Sequence, residues 1–148
     1  MNPAQPRRVA SRLFSHSLES LEARIAPAAV FAFTDVDGDA VVVKTSKGTN
    51  DQLAGAIKLT TLGAGQQLQE IDFSTVPKVN GVHPFAGTNL SVSVKVASPT
   101  GNARVNVGYI DAASVNGGSM TGDGEGLALG AVKIAGDLGQ IDVGTVGA

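Results

Sequence analysis

The first part of the chain carries apolar residues at helical spacing. Four of them recur at intervals of three or four residues, which places them on one face of a helix. They are Phe14, Leu18, Leu21 and Ile25. Pro27 ends the pattern, because proline cannot donate a backbone hydrogen bond and disfavours helical geometry in the residue before it. The pattern predicts an amphipathic leader helix over about residues 8–25.

After residue 29 the pattern changes to short runs rich in valine and threonine, which are typical of β-strands. Residues 30–34 and 40–45 flank an Asp- and Gly-containing turn, and this arrangement predicts a β-hairpin. Later, apolar and polar residues alternate over residues 90–97, as expected for a strand that buries one face. Further strand-like runs span 58–62, 67–73 and 103–110. The body of the protein is therefore predicted to be mainly β.

Two other local signals divide the body. Thr49 or Asn50 is placed to cap a short helix containing Leu53, Ala54 and Ile57. Proline and glycine mark loops over 77–85 and 117–126, of which the first is the predicted internal boundary. The predicted regions are a leader over 1–29, a hairpin and cap region over 30–76, and a repeat region over 77–148.

One segment of the repeat region recurs further along the chain in similar form, and we call this similarity the echo. Asn106–Ala112 aligns without gaps with Asp137–Val143, and residues 69–73 give a fainter match. Similar strands that recur with glycine predict rungs of a β-solenoid, in which each unit stacks on its neighbour. An antiparallel β-sandwich is the alternative, and parallel or antiparallel neighbours within residues 85–148 distinguish the two folds. Because the sequence stops amid rung-like residues, we expect a longer parent protein.

Composition excludes several classes of protein. The 148 residues carry a net charge of −2, which argues against nucleic acid as a partner. The absence of cysteine excludes disulfides and cysteine-bound zinc. No apolar run approaches the roughly 18 residues of a transmembrane helix, so none is predicted.

The hairpin turn carries the candidate metal ligands. Asp35, Asp37 and Asp39 lie at alternate positions around Gly38, and their carboxylates could attract calcium. An EF-hand loop differs, because its glycine is the sixth residue and its twelfth is glutamate, where this chain has Ser46. Asp and Gly are also ordinary turn formers. Both interpretations of the turn stay open.

Other catalytic patterns are weak. Asp111 and Asp142 occupy the same position in the two echoing segments, where stacking would bring them together. They are interpreted either as paired carboxylates of a polysaccharide hydrolase or, more simply, as corner residues. His16 and His83 lie in the leader and in a proline-flanked loop, which does not favour a catalytic triad. We therefore expect no catalytic residues and no cofactor.

The segment Leu21–Ala29, preceded by Arg12-Leu13-Phe14, resembles the LEPR-XLL N-terminal motif of large repetitive exported proteins of planctomycete and verrucomicrobial bacteria. Ala23 stands where that motif has proline. Residues 133–142 are similar to the glycine-rich repeats of the same proteins. The resemblance implies sorting to the cell envelope or surface, with no activity attached.

These observations predict an exported, non-enzymatic protein with a structural or adhesive role at the cell surface. Its expected partners are cell-envelope components or carbohydrate. The alternative is the N-terminal part of a carbohydrate-active β-helix enzyme whose catalytic region lies beyond residue 148.

Overall fold

The computed structural model describes residues 28–113 and 127–143, which form mainly β-strands. The predicted leader helix, the LEPR-XLL-like motif before residue 28 and the loop predicted over 117–126 lie outside the described residues. The described elements are β1 (Ala29–Thr34), β2 (Ala40–Thr45), α1 (Asn50–Ala56), β3 (Ile57–Leu62), β4 (Gly65–Asp72), β5 (Leu90–Lys95), β6 (Val105–Ala112), β7 (Val132–Ile134) and β8 (Gly136–Val143). A single 3₁₀ turn, Phe73–Thr75, follows β4.

The strands form two open, mixed sheets of four strands each. Sheet A has the order β1-β2-β5-β7, and sheet B has the order β3-β4-β6-β8. The antiparallel pairs are β1–β2, β2–β5 and β3–β4. The parallel pairs are β4–β6, β5–β7 and β6–β8. The described strand pairs within residues 85–148 are thus parallel, so the antiparallel alternative is wrong for this region. Because β2 pairs with β5 and β4 with β6, both sheets cross the predicted boundary at residue 77.

The hairpin and the short helix follow local sequence signals. The predicted hairpin is confirmed as β1 and β2, and Gly38 adopts the positive φ of 85° that its turn requires. Thr49 caps α1 in a capping box with Gln52. The helix ends at Ala56, however, and Ile57, predicted within the helix, is the first residue of β3.

The sequence echo coincides with the pairing register of sheet B. Seven residue pairs join β6 to β8, from Val105–Gly136 to Ala112–Val143. Six of them join residues that the echo aligns, and Val105–Gly136 continues the same offset by one residue. The fainter echo also corresponds to a pairing, because Ile71 on β4 faces Ile110 on β6. In both parallel steps of sheet B, isoleucine therefore stacks on isoleucine and aspartate on aspartate.

The glycine that recurs in the echo, as Gly108 on β6 and Gly139 on β8, is required by the packing of neighbouring strands. A Cβ atom on Gly108 would overlap the carbonyl oxygen of Gln69 on the neighbouring strand, and one on Gly139 would overlap the carbonyl oxygen of Gly108. The recurrence of glycine in the echo is thus explained by the close approach of backbones in sheet B.

The parallel pair in sheet A joins residues at a different separation along the chain from the β6–β8 pair in sheet B. Leu90 on β5 pairs with Val132 on β7, a wider separation along the chain than that between Val105 and Gly136 in sheet B. The connection from β5 to β6 spans residues 96–104, whereas Ala135 alone joins β7 to β8. The Ala135 N–H donates to the carbonyl of Val92 at 2.9 Å, and its own carbonyl accepts from the N–H of Val105 at 3.0 Å. A single residue thus contacts both sheets.

Both sheets pack on one hydrophobic core. The inward side chains of sheet A, such as Val41, Val43 and Val92, belong to the same buried cluster as Leu68 and Ile110 of sheet B. At one end of this cluster α1 buries Leu53 and Ala56 against β1 and the 3₁₀ turn. The core is largely aliphatic, but it contains the ring pair Phe73 and Phe85, whose centroids lie 4.8 Å apart, and Phe33, which contacts Phe31.

Candidate functional site

Three acidic side chains converge on the outer face of sheet B, the face away from the core. Glu70 and Asp72 come from β4 and Asp111 from β6, and one carboxylate oxygen of each lies within 4.8 Å of the others. The parallel register explains the clustering, because Asp72 pairs with Asp111 and Asp111 pairs in turn with Asp142. The predicted proximity of Asp111 and Asp142 is thus confirmed. We call Glu70, Asp72, Asp111 and Asp142 the acidic ladder.

Lys58 on the adjacent strand β3 partly neutralises this ladder. Its ammonium group lies 2.7 Å from Glu70 Oε2 and 3.0 Å from Asp72 Oδ2. The two carboxylates in turn raise the pKa of Lys58 through these hydrogen bonds. The ladder therefore has a cation supplied by the chain itself.

Asp72 is the most constrained carboxylate of the ladder. Burial alone would raise its pKa, but hydrogen bonds from the Ser74 hydroxyl and from Lys58 outweigh that effect and hold the pKa below its usual value. One Asp72 oxygen also accepts the N–H groups of Ser74 and Thr75, which begins the 3₁₀ turn after β4. Asp72 is thus an ionised, structural carboxylate.

Asp111 and Asp142 have pKa values shifted in opposite directions. Burial raises the pKa of Asp111, and the negative charges of Asp72 and Asp142 add to the rise. The Tyr109 hydroxyl donates to Asp142 Oδ2 at 2.5 Å and lowers the pKa of Asp142, while the same contact raises the pKa of Tyr109. Two neighbouring carboxylates of unequal acidity result.

The chemistry open to the ladder follows from these contacts. Carboxylate oxygens at this spacing suit a hard divalent cation such as calcium. Lys58 already occupies one oxygen of Glu70 and one of Asp72, so a cation would have to displace or share its ammonium group. Lys58, Tyr109 and backbone N–H groups donate hydrogen bonds to the ladder, but the charge of Asp111 stays unfavourable beside the other carboxylates.

The predicted calcium ligands lie elsewhere and point to backbone donors. Asp35 Oδ1 accepts the N–H groups of Asp37 and Asp39, each at 2.9 Å. The fully buried Asp39 accepts the N–H of Ala97 at 3.2 Å and that of Ala103 at 2.9 Å. Asp35 thus closes the hairpin turn, and Asp39 holds that turn against the β5–β6 connection. Calcium binding there stays a prediction.

Asp37 is the most accessible of the three. Its Oδ2 accepts from the Asn102 side-chain amide at 2.7 Å, and its carbonyl accepts from the Thr100 hydroxyl. Its partners again belong to the β5–β6 connection, which extends the contact made by Asp39.

The two histidines remain apart from the ladder. His16 lies outside the described residues. His83 is 8% exposed, and its Nδ1 accepts the N–H of Phe85 at 3.4 Å. Burial, followed by the charge of Lys78, lowers the pKa of His83. The neutral ring thus accepts a backbone hydrogen bond in the turn that leads to Phe85.

Sequence reasoning identified Asp111 and Asp142 but missed Glu70 and Asp72, and it also missed Lys58 and Tyr109, which donate hydrogen bonds to the ladder. The fainter echo at residues 69–73 contained the missing signal, because extending the alignment onto it places Glu70 opposite Tyr109 and Asp72 opposite Asp111. Lys58 had no comparable signal, since it joins the ladder through antiparallel pairing of β3 with β4.

Sheet A presents a face of opposite charge. Its four strands contain Lys44, Lys95 and Lys133 and no acidic residue, and all three lysines are exposed. Lys44, Ser91 and Lys133 lie side by side in register on three neighbouring strands. They line a shallow groove of about 350 Å³ together with Ser46 and Asn89. We call Lys44, Lys95 and Lys133 the basic face.

Comparisons with protein-family models, with curated proteins and with solved structures find no match to this chain. Within residues 28–113 and 127–143, no helix has the length and hydropathy needed to span a membrane.

Proposed function

We propose that this protein is a non-catalytic scaffold of the bacterial cell envelope or surface, built from stacked β-solenoid-like rungs. The observation that carries the proposal is the agreement between the sequence echo and the β6–β8 register. Stacking of like residues on like residues is the means by which repeat proteins extend a core from one unit to the next. Such a structure provides length and surface without requiring a pocket.

Export of the scaffold is supported by the leader pattern and by the resemblance of residues 21–29 to the LEPR-XLL motif. The test is fractionation of the source cell, followed by mass spectrometry of the mature N-terminus. Recovery in the envelope or medium supports the proposal. Recovery of the protein with intact Met1 in the cytosol contradicts it.

The basic face is the proposed contact surface. Lys44 and Lys133 flank Ser91 in register, so a hydroxyl group lies between two cations across three adjacent strands. This arrangement suits an extended polyanion, and carboxylated envelope polysaccharide is the proposed partner. Attraction between exposed charges weakens as salt screens them.

A binding assay with alginate, a polyuronate, tests this surface. We expect retention that falls with increasing salt and is lost in the double variant Lys44→Glu and Lys133→Glu. Lys47→Glu is the matched control, because the Lys47 ammonium contacts the Ala86 carbonyl outside the basic face. Equal retention of both variants contradicts the assignment.

A second candidate function is polysaccharide hydrolysis, favoured by one observation. Asp111 and Asp142 are neighbours whose pKa values are shifted in opposite directions, as in acid–base pairs of carboxylates. Release of reducing ends from a carboxylated polysaccharide, abolished by Asp142→Asn, would replace the scaffold proposal with this one.

A further inference from the structure

Residues 77–88, which we call the connecting segment, lead from the 3₁₀ turn after β4 in sheet B to β5 in sheet A. Phe85 anchors this segment, because its ring is fully buried and packs on Phe73. Val79 and Val82 pair with each other through two backbone hydrogen bonds, but both side chains are exposed. The connecting segment is therefore held to the core through its second half.

His83 organises the turn that brings Phe85 into the core. Its Nδ1 accepts the Phe85 N–H at 3.4 Å, and its carbonyl accepts the Ala86 N–H at 3.1 Å. A ring nitrogen that accepts a hydrogen bond carries no proton, so the neutral ring has its proton on Nε2. The fold thus selects one tautomer of a histidine that is more than nine-tenths buried.

The buried ring is poorly placed to take a second proton. That proton must go to Nδ1, where it would meet the Phe85 N–H, so that one donor faces another. On the other side of the ring, the carbonyls of Phe73 and Val76 favour the charged form, but neither accepts a hydrogen bond from Nε2. Protonation therefore breaks the hydrogen bond that holds the turn and leaves a buried charge.

The charged groups around the ring do not offset this cost. They are Lys78 on the connecting segment, Lys47 before α1, Asp51 in α1 and Asp72 at the end of β4. Lys78 opposes a positive ring by its own charge. The Lys47 ammonium bonds a backbone carbonyl, and Asp72 accepts from Lys58. In the described part of the chain, neither Asp51 nor Asp72 forms an ion pair with His83.

We propose that His83 is a pH-sensitive latch: protonation of its ring under mildly acidic conditions releases the connecting segment from the core and uncovers Phe85. In the released segment both ring nitrogens can donate to water, so the charged ring costs little there. The segment lies where the chain passes from sheet B to sheet A, so its release loosens this passage while the strands keep their pairing. The latch goes beyond the scaffold proposal and does not depend on it.

The direction of the pH effect follows from the number of protons that each state binds. Burial lowers the pKa of His83 in the closed state, whereas in the open state it returns to about 6.5. The open state therefore binds more protons below about pH 6.5. As pH falls, the opening equilibrium rises by at most about tenfold per pH unit, and the rise ends below the pKa of the closed state.

Hydrogen exchange of the full chain at about pH 7.5 and about pH 5 tests the latch, with rates corrected for the intrinsic pH dependence of exchange. We expect the protection of the Phe85 and Thr88 amides to fall roughly tenfold or more at the lower pH. Thr88 reports the same opening, because its N–H donates to the Phe85 carbonyl. The protection of Ile110 in β6 should not fall.

His83→Asn is the matched variant. The asparagine oxygen can accept the Phe85 N–H from the first position of the turn, which asparagine commonly occupies, and the side chain does not titrate. We expect the pH dependence of Phe85 protection to disappear. His16→Gln leaves His83 as the one histidine of the chain and should retain the pH dependence.

Ring titration by nuclear magnetic resonance tests the latch in the unaltered chain, even if His83→Asn does not fold. We expect His83 to carry its proton on Nε2 at neutral pH and to titrate below 6.5. Four outcomes overturn the inference. They are equal Phe85 protection at both pH values, pH dependence retained by His83→Asn, a neutral ring protonated on Nδ1, and an equal loss of protection at Ile110, which would indicate global unfolding. None of them bears on export or on alginate binding.

Discussion

Sheets A and B have the same number of strands and share one core, yet they are specified differently. In sheet B both parallel steps stack identical residues, Ile71 on Ile110 on Ile141 and Asp72 on Asp111 on Asp142. In sheet A only the alternation of apolar and polar residues recurs, as in the pairing of Leu90 with Val132. In sheet B the close approach of backbones requires glycine at Gly108 and Gly139, whereas in sheet A the alternation of apolar and polar residues suffices.

Charge divides the sheets in the same way. The strands of sheet A contain three lysines and no acidic residue. Those of sheet B contain five acidic residues and one lysine. Because the core separates the two outer faces, each keeps its own sign. Like charges pair directly across adjacent strands in sheet B, where Asp111 lies between Asp72 and Asp142, whereas Ser91 separates Lys44 from Lys133 in sheet A.

The largest expected effect compares the cores of the two sheets. Ile110→Ala should reduce the free energy of unfolding by about 2–5 kcal/mol, because Ile110 is fully buried and its removal leaves a cavity. Val92→Ala in sheet A removes fewer carbon atoms and should cost less. Urea denaturation measures both changes. A larger loss for Val92→Ala would contradict the central place given to the isoleucine stack.

The next effect tests whether glycine is required only in sheet B. Gly108→Val should reduce stability by about 1–3 kcal/mol or more, because its side chain would overlap the Gln69 carbonyl and force the strands apart. Ser93→Val, at an exposed position in the middle of β5, should stay within about 0.5 kcal/mol. Thermal unfolding followed by circular dichroism compares the two. Similar melting temperatures for both variants would remove the proposed distinction.

A third variant tests the connection between the sheets. Asp39→Ala should cost about 1–3 kcal/mol, because the part-buried N–H groups of Ala97 and Ala103 lose the buried carboxylate that accepts them. Asp37→Ala, at the more accessible side of the same turn, should cost about 0.5 kcal/mol or less. Faster hydrogen exchange at Ala97 and Ala103 in the first variant alone is expected. No change there would mean that Asp39 does not organise the connection.

The smallest effect concerns the acidic ladder and depends on pH. The folded state raises the pKa of Asp111, so ionised Asp111 costs stability above that pKa, and the cost disappears as pH falls through it. Asp111→Asn should therefore stabilise the protein at pH 7 by about 0.5 kcal/mol, the size of a cross-strand charge pair. The asparagine oxygen can still accept the Ala113 N–H. Unfolding at pH 7 and below pH 3.8 should show the gain only at the higher pH.

Asp142→Asn is the control for this pH dependence. The folded state lowers the pKa of Asp142, so its ionised form stabilises the protein and that contribution is lost as pH falls. Its replacement should therefore bring no gain at pH 7. Equal stabilisation by both substitutions would contradict the opposite shifts of the two pKa values.

The sequence predicted the parts of the fold that local signals determine. The hairpin follows from two β-rich runs around Asp-Gly, and α1 follows from the Thr49 cap. The β6–β8 register was visible as the sequence echo because residue identity repeats there. The β5–β7 register of sheet A was not visible in the sequence, because no residue identities recur between these strands. The β5–β6 connection is also longer than the single residue between β7 and β8, so the two sheets do not share one repeat length.

The site was less predictable than the fold. Asp111 and Asp142 stood out because they repeat, but Lys58 reaches the ladder from an antiparallel strand with a register shift beside it. The roles of Asp35 and Asp39 depend on how the hairpin turn contacts a distant connection. No local pattern distinguishes a carboxylate that binds backbone N–H groups from one that binds a cation.

The corner at Ala135 has a mechanical consequence. Its peptide groups bond to Val92 in one sheet and to Val105 in the other, while the covalent backbone runs through the same residue. A force that slides one sheet past the other must therefore stretch both hydrogen bonds together, rather than break them one after another. A short corner of this kind resists shear between the two sheets.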